Sequence, residues 1–342
     1  MGAASLSTLD AIPRVDLLDG PTPIQRLERI ERALGLADRG IRLYAKRDDL
    51  MSLGGGGNKL RKLEYHLGGA LADGVDTVVS VGGVQSNHAR LTAAAAARLG
   101  LACELFLARM VPRDGTDYER NGNVLLDDLF NARPSILAPG ENALEHANAR
   151  AQALRAAGHT VLVLPTGGST PLGALGYARC AREIAQQEAQ RGLRFDRVIV
   201  PNGSAGTQAG LVAGYAAMGR DTRSVRAYAV LAAEDRARET ARDLANAALG
   251  LLGKEGTLTA GDIEVDGGEL GDGYGVPTDA MVAAVRLMAS QEGVLLDPVY
   301  SGKAFAGLLR DLRCGVVREG EDVLFVVTGG TPGLFAYREV FA

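Results

Sequence analysis

Short runs of β-branched residues alternate with alanine-rich segments along almost the whole chain, and this alternation constrains the fold more than any other feature. The runs are Ile41–Lys46, Thr77–Val81, Glu104–Leu107, Thr160–Leu164, Arg197–Val200, Arg226–Leu231 and Val323–Val327. Between and around them, helical spacing marks Lys59–Asp73, Asn87–Leu99, Leu144–Ala157, Leu172–Gln190, Thr207–Met218, Glu234–Leu252, Asp279–Glu292 and Gly302–Arg313. Strands separated by helices cannot form hairpins, so they predict parallel sheets covered by helices on both faces. A run such as Val323–Val327, apolar at every position, fits burial on both sides. The expected class is α/β. At 342 residues the chain has room for two domains or one large one, and it shows neither an internal repeat nor a low-complexity linker.

Glycine concentrates where these strands hand over to helices: Gly82-Gly83, Gly167-Gly168, Gly203–Gly206 and Gly329-Gly330. Ligands of open parallel sheets bind at the carboxyl ends of strands. Any one of these pairs also reads as a plain tight turn, whereas four suggest a ligand surrounded by backbone.

Other classes of function find little support. A net charge of −4 and a pI near 5.7 offer no electrostatic footprint for nucleic acid. The three cysteines, Cys103, Cys180 and Cys314, are too few and too scattered for a disulfide scaffold or a zinc site and read as reduced cytosolic thiols. Met1–Ser7 carries no basic region followed by an apolar run, so no secretory signal is expected. Leu6 stands where a myristoylation pattern needs Ser or Thr. No stretch of about 18 apolar residues occurs, because Arg98 and Glu104 interrupt the alanine-rich region. The expectation is a cytoplasmic protein without membrane or nucleic-acid partners.

Three segments carry candidate chemistry. Pro201-Asn-Gly-Ser-Ala-Gly-Thr207 follows one strand and opens a helix, where free backbone N–H groups and the helix dipole favour a phosphate. It lacks the endings that mark nucleotide-triphosphate or dinucleotide loops, and a structural turn is the competing reading. Gly54-Gly-Gly-Gly-Asn58-Lys59-Leu-Arg-Lys62-Leu-Glu64 brings a lysine to a ligand along backbone without side chains; lysine forms imines with aldehydes. Equally, Lys59, Arg61 and Lys62 could be a solvated helix face paired with Glu64. Ser86, Asn87 and His88 stand at a helix start, able to cap it or to leave N–H groups for a carboxylate. Tyr274 between glycines and Tyr300 before Ser301-Gly302-Lys303 are either core residues with satisfied hydroxyls or site residues. Thr328 ends the last strand beside Gly329. A phosphate loop and a glycine-framed lysine, with no nucleotide fingerprint, call for one ligand bearing both a phosphate and an aldehyde. Pyridoxal 5'-phosphate (PLP) is such a ligand.

Together these residues resemble the D-cysteine desulfhydrase and 1-aminocyclopropane-1-carboxylate (ACC) deaminase family of tryptophan-synthase-β-like, fold-type II PLP enzymes. The motifs are Lys46-Arg-Asp-Asp49, Gly56-Gly-Asn-Lys-Leu-Arg-Lys-Leu-Glu64, Gln85-Ser-Asn-His88, Asn121-Gly-Asn123, Gly173-Ala-Leu-Gly-Tyr177, Gly203-Ser-Ala-Gly-Thr207, Asp297-Pro-Val-Tyr300 and Thr328-Gly-Gly330. The resemblance runs from about Pro21 to Tyr337. It implies two α/β domains with open, twisted parallel sheets flanked by helices: residues 1–60 and 166–342 as the larger, 61–165 as a smaller inserted one, with the cofactor between them. It implies Lys59 as the Schiff-base lysine, Asn87 on the cofactor's ring hydroxyl, and Gly203, Ser204, Ala205, Gly206 and Thr207 around its phosphate. Thr328 falls near the pyridine nitrogen. Ser86, with the N–H groups beside it, matches the substrate-carboxylate pocket; Tyr274 and Tyr300 match active-site tyrosines, and His88 and Ser301 stand at substrate-selecting positions. A homodimer acting on a small amino acid is implied as well.

Within the family, ACC deaminases resemble one another in a glutamate after the Pro-Val-Tyr tyrosine, a leucine before the last Gly-Gly and a glutamine at the His88 position. This chain has Ser301, Thr328 and His88 there, which looks like the desulfhydrase branch. A neutral Thr328 would not strengthen the ring's electron sink as a carboxylate would, and a weaker sink suffices when thiolate is the leaving group. The expected reaction is α,β-elimination from D-cysteine to pyruvate, sulfide and ammonia. L-cysteate sulfo-lyase, ACC deaminase and a non-catalytic binding homologue are the rival readings, and the four-glycine run at Gly54–Gly57 exceeds what the resemblance leads one to expect.

Overall fold

A computed structural model describes residues 6–254 and 256–342; the terminal stretch 1–5, where most of the signal and myristoylation readings fall, lies outside them. Among the described residues ten strands form: β1 Ile24–Arg26, β2 Arg42–Arg47, β3 Thr77–Gly83, β4 Ala102–Ala108, β5 Arg133–Ile136, β6 Val161–Leu164, β7 Arg197–Asn202, β8 Val225–Ala229, β9 Glu264–Asp266 and β10 Asp322–Val327. Between them lie the helices α1 Thr8–Ala11, α2 Glu28–Ala33, α3 Lys59–Ala72, α4 Asn87–Leu99, α5 Thr116–Arg120, α6 Asn123–Leu129, α7 Ala143–Ala156, α8 Pro171–Arg191, α9 Gly206–Ala217, α10 Glu234–Leu251, α11 Asp279–Glu292, α12 Ser301–Arg313 and α13 Pro332–Ala336.

The strands assemble into two sheets, one ordered β1-β2-β10-β7-β8-β9 and the other β5-β4-β3-β6. Every pairing is parallel except β1 with β2 at one edge. The chain leaves the six-stranded sheet after β2, builds the four-stranded sheet, and returns through α8 to β7. The expected α/β fold is present. Three strands escaped the sequence pattern: β1 and β9 are three residues long, and β5 contains Pro134, which an edge strand tolerates because one side of its backbone is unpaired.

Alternation along the central strands shows why the larger sheet needs helices on both faces. Val198 and Val200 of β7, with Leu324 and Val326 of β10, join one apolar cluster with Tyr177, Leu211 and Val212. Ile199, Val323, Phe325 and Val327 join the opposite one with Met281, Phe305 and Leu308. Successive side chains on a strand point to opposite faces, so residues that are apolar at every position fill two cores. Deleting one large member, as in Phe325→Ala, costs about 3–5 kcal/mol.

Helix caps set where the chain turns into the space between the sheets. Ser86 caps α4 by accepting from the Ala89 N–H at 3.1 Å, and Thr170 caps α8 by accepting from the Gly173 N–H at 3.0 Å, with Pro171 at the first helical position. The glycine turns after β3, β6 and β7 and the end of β10 all open on one cavity at the carboxyl ends of these strands.

Candidate active site

Lys59 is the first residue of α3, and the glycines before it explain how it gets there. Gly54, Gly55, Gly56 and Gly57 have φ of 61°, 78°, 73° and 132°, a path that side-chain-bearing residues rarely follow. At Gly56 a Cβ would strike the carbonyl oxygens of Asp49 and Met51. The tight path lets Gly57 bridge to Gly329 and lets the Asn58 N–H donate to the Thr328 carbonyl at 3.0 Å, tying the start of α3 to the end of β10.

The rest of α3 is anchored by charge rather than solvated. Arg61, 1% exposed, donates to Asp48 at 2.8 and 2.9 Å and to Glu183 of α8 at 2.9 Å. Lys46 also pairs with Glu183, and the Tyr177 hydroxyl donates to Asp48 at 2.5 Å. Lys46, Asp48, Arg61, Tyr177 and Glu183, distant in sequence, thus form one buried network. The reading of Lys59, Arg61 and Lys62 as a solvated face fails: Arg61 is buried against α8, Lys62 against the turn Gly167–Ser169, and Lys59 lines the cavity. Glu64 is buried too and accepts the Leu17 N–H at 3.0 Å.

The Lys59 amine lies 3.1 Å from Asn58 Oδ1 and 5.8 Å from the centre of the Tyr300 ring. Burial pushes its pKa down to about 8; Asp297 opposes the shift and the like charge of Arg90 adds to it. An amine that gives up its proton near pH 8 can act as nucleophile and base.

Lys62 follows one helical turn later, on the same face as Lys59. It is 1% exposed, and its amine donates to the Gly167 carbonyl at 3.1 Å and Ser169 Oγ at 3.0 Å, with no carboxylate partner among the described residues. Burial, reinforced by Lys59, holds its pKa well below the ordinary lysine value. Opposite it runs the loop Gly203–Thr207. Ala205 has φ +64°, and a Cβ on Gly206 would come within 2.6 Å of Ser169 Oγ and 2.7 Å of Lys62 Nζ. Ser169 and Ser204 hydroxyls meet at 2.8 Å, and Thr207 Oγ1 accepts from Asn58 Nδ2 at 3.0 Å. A hollow lined by first-turn N–H groups, hydroxyls and an amine without a counter-charge suits an anion with several oxygens.

Ser86, Asn87 and His88 form the facing wall. His88 is 2% exposed; its Nε2 lies 3.2 Å from Ser80 Oγ and its Nδ1 has no hydrogen-bond partner among the described residues. Burial, then the charges of Lys59 and Lys62, drive its pKa well below the usual value, so it is a neutral ring. Tyr274 and Tyr300 close the third side with their hydroxyls 2.5 Å apart. Burial raises both phenols, so each keeps its proton. Asp297 holds Tyr300 in place by accepting the N–H groups of Val299, Tyr300 and Ser301 at 3.0, 2.9 and 2.8 Å. Lys303 holds the Tyr274 loop, donating to the carbonyls of Leu270 at 2.7 Å and Gly273 at 3.0 Å.

Of the expected site residues, Lys59, Ser86, Asn87, His88, Gly203, Ser204, Ala205, Gly206, Thr207, Tyr274, Tyr300 and Thr328 all line this cavity. Ser301 does not. Its side chain is fully buried behind the wall, its hydroxyl donating to Asp297 Oδ1 at 2.6 Å and accepting from the Asp297 N–H at 2.9 Å. The expectation that Ser301 meets the substrate is therefore corrected: the turn of α12 aims it at Asp297. Sequence reasoning missed Lys62, Met110 and Lys303; the spacing of Lys62 from Lys59 was the available signal. Among the described residues no Asp or Glu lines the cavity, and no cluster of metal-ligating side chains occurs.

Comparison with known proteins agrees with this geometry. A profile of the "Pyridoxal-phosphate dependent enzyme" family matches residues 15–329. The chain is 42% identical to a 1-aminocyclopropane-1-carboxylate deaminase of Burkholderia vietnamiensis, over 97% of this chain and 98% of that one. It is 40% identical to a D-cysteine desulfhydrase of Serratia proteamaculans, over 96% and 97%. A crystal structure described as an ACC deaminase homologue superposes with a TM-score of 0.88 at 37% identity, covering 100% of this chain and 99% of that one.

Proposed function

This chain belongs to the pyridoxal-phosphate dependent enzyme family, and from that premise we propose that it eliminates the β-substituent of a small sulfur-containing amino acid, D-cysteine first. Such a reaction consumes one water and yields pyruvate, sulfide and ammonia. The cavity fits the cofactor. Lys62 and the amides and hydroxyls of Ser204–Thr207 form a cradle for the phosphate that a Cβ at Gly206 would fill. Asn87 would take the ring oxygen, Thr328 the ring nitrogen and Lys59 the aldehyde carbon. When bound, the cofactor supplies an electron sink for charge released at the substrate Cα.

The chain's own groups then have separable tasks. Ser86 and the first N–H groups of α4 bind the substrate carboxylate at a helix start, where the dipole favours negative charge. Lys59 is the base for the Cα proton, since its amine loses its charge near pH 8 while both tyrosines stay protonated. The Tyr274–Tyr300 pair is left as proton donor to the departing sulfur.

The observation that carries the sulfur reading is that Thr328 in the cavity wall and Ser301 behind it, bonded to Asp297, are both neutral hydroxyls where a deaminase is expected to carry a leucine and a glutamate. With only Thr328 at the nitrogen, nothing favours ring protonation, and the sink is adequate for a stabilised leaving group such as thiolate. Opening a cyclopropane has no such leaving group. Compartment and assembly complete the proposal. Three unpaired cysteines, Cys103, Cys180 and Cys314, suit a reducing cytoplasm. No helix among the described residues is long and apolar enough to cross a membrane. The exposed Leu125 and Leu129 of α6 and Phe335 of the adjoining α13 offer an apolar face to a second copy. Sedimentation at micromolar concentration tests the homodimer.

The deciding experiment is a parallel product assay of the PLP-loaded protein with D-cysteine, L-cysteine, L-cysteate and ACC. Sulfide and pyruvate from D-cysteine support the proposal. Sulfite from L-cysteate, or 2-oxobutanoate from ACC, would replace the substrate and keep the cofactor reading.

A further inference from the structure

Behind the cavity wall a row of polar side chains ends on Asn87. Arg90 of α4 is fully buried; it donates to the Gly56 carbonyl at 2.6 Å and to Asn123 Oδ1 at 3.0 Å. Asn123, also fully buried at the start of α6, donates from Nδ2 to the Gln85 carbonyl at 3.2 Å and to Asn87 Oδ1 at 3.1 Å. Its backbone N–H donates to Gln85 Oε1 at 2.9 Å, and Gln85 Nε2 holds the carbonyls of Tyr118 and Asn121 at 2.6 and 2.9 Å. The Asn121-Gly-Asn123 turn is thereby clamped to the wall.

The chemistry of these groups leaves one arrangement. A guanidinium can only donate and a backbone carbonyl can only accept. Turned over, the Asn123 amide would set its NH2 against Arg90 and its oxygen against the Gln85 carbonyl, two like-with-like contacts. In the observed sense it must donate to Asn87, whose Oδ1 is then occupied. The Asn87 Nδ2 is left without a hydrogen bond among the described residues and lies beside Gly330, where a Cβ would come within 2.6 Å.

We propose that Asn123 is a positioning residue that fixes the polarity of Asn87, its own direction dictated by Arg90 and the Gln85 carbonyl, so that Asn87 always presents a donor to the cavity. The inference rests on the PLP reading: the ring oxygen of that cofactor is an anion when its imine nitrogen carries a proton, and a fixed donor holds it so. A freely turning amide would offer its oxygen part of the time and favour a protonated, uncharged ring oxygen. Asn123 touches neither cofactor nor substrate.

Asn123→Asp keeps the shape and the bond from Arg90 but can no longer donate, so Asn87 must turn its NH2 away from the cavity to meet the new carboxylate. A donor to a charged acceptor contributes about 1.5–3 kcal/mol, so the dissociation constant for PLP should rise about tenfold or more. At fixed pH the ratio of visible to near-ultraviolet absorbance of the loaded protein should fall in the same sense. In an Asn87→Ala background the same substitution should change both readings by less than about twofold, because coupling vanishes when one partner is gone. Wild-type affinity and spectrum in Asn123→Asp would overturn the proposal. So would an undiminished effect in the Asn87→Ala background, since that would be the new charge acting alone. If Asn123→Asp does not fold, Asn123→Leu, which frees the Asn87 amide, must show an intermediate loss, and a wild-type spectrum there refutes the inference equally. A wild-type protein that shows no visible band with PLP, and no lysine trapped by borohydride, would sink the cofactor reading itself.

Discussion

Replacing Lys62 by Met separates what this residue does for the cofactor from what it does for the fold. In the protein without cofactor Lys62 is 1% exposed, its amine bonded to one carbonyl and one hydroxyl and without a carboxylate partner among the described residues. Removing it gives up about 1 kcal/mol of hydrogen bonding and relieves the burial of a poorly paired amine, so the net change in stability should be close to zero. Met nearly preserves the volume. For a bound phosphate dianion the balance differs, because a charge-assisted hydrogen bond worth about 1.5–3 kcal/mol is lost, or about 10- to 150-fold in the PLP dissociation constant.

Linkage supplies an independent check on the same variant. The folded-state pKa of Lys62 lies well below the ordinary value, so between the two values the unfolded chain binds more protons than the folded one. Stability of the cofactor-free protein therefore rises with pH across that window, the burial penalty being felt in full below the folded pKa and gone above about 10.4. Lys62→Met should flatten that rise, leaving the share from Lys59 and Lys303, which are both pushed down to about 8. Absorbance titration with PLP and urea melts at several pH values read both effects. PLP affinity within about twofold of wild type, or a melt unchanged in its pH slope, would refute the assignment of Lys62 as the phosphate's buried cation.

Three further outcomes follow from the geometry. Because the Lys59 amine titrates near 8, the rate of PLP capture should rise through an apparent pKa of about 8 rather than 10.5, and Lys59→Ala should abolish both capture by borohydride and turnover; a capture rate still climbing above pH 10 would contradict the burial of Lys59. Arg61→Met strands Asp48 and Glu183 without their partner and should destabilise the protein by about 3–5 kcal/mol in urea titration, while a loss under about 1 kcal/mol would mean that Lys46 suffices. Thr328→Glu, at a position 6% exposed in the cavity wall, should lower kcat/KM for D-cysteine by about tenfold or more, and unchanged kinetics would show that the ring nitrogen does not feel this position.

The parts of the site that could be read from the sequence are those whose chemistry is local. Gly82-Gly83, Gly167-Gly168 and Gly203–Gly206 sit at strand ends whatever surrounds them, and the three strands that they end, β3, β6 and β7, bring them to one cavity. Lys59 was legible for the same reason, since the positive-φ path of Gly54–Gly57 precedes it directly. Lys62 and Arg61 were not. A run of Lys, Arg, Lys and Glu within six residues has the charge pattern of a solvated helix, and partners distant in sequence, Glu183 of α8 for Arg61 and the turn Gly167–Ser169 for Lys62, turn those charges inward. β5 hid behind Pro134, and the relay through Asn123 could be seen only once α4 and α6 lay side by side.

Ser301 shows how adjacency misleads, and its correct placement sharpens the substrate argument. Tyr300 reaches the cavity, but the start of α12 rotates the next side chain onto Asp297, the carboxylate that caps Tyr300. A residue at that position acts on a substrate only through Asp297 and the tyrosine it holds. A glutamate there, as the resemblance assigns to deaminases, would put a second carboxylate against a buried one whose pKa burial already raises, changing the charge behind Tyr300 rather than touching the substrate. On the proposed function, direct selection then falls to groups that do line the cavity, Thr328, which is proposed to meet the ring nitrogen, and the neutral His88. If D-cysteine is the substrate, Ser301→Glu should disturb Tyr300 and slow every substrate alike. Thr328→Glu, by contrast, should change the ranking of substrates. Parallel kcat/KM values for D-cysteine and L-cysteate in the two variants test this division, and a change of ranking in Ser301→Glu alone would refute it.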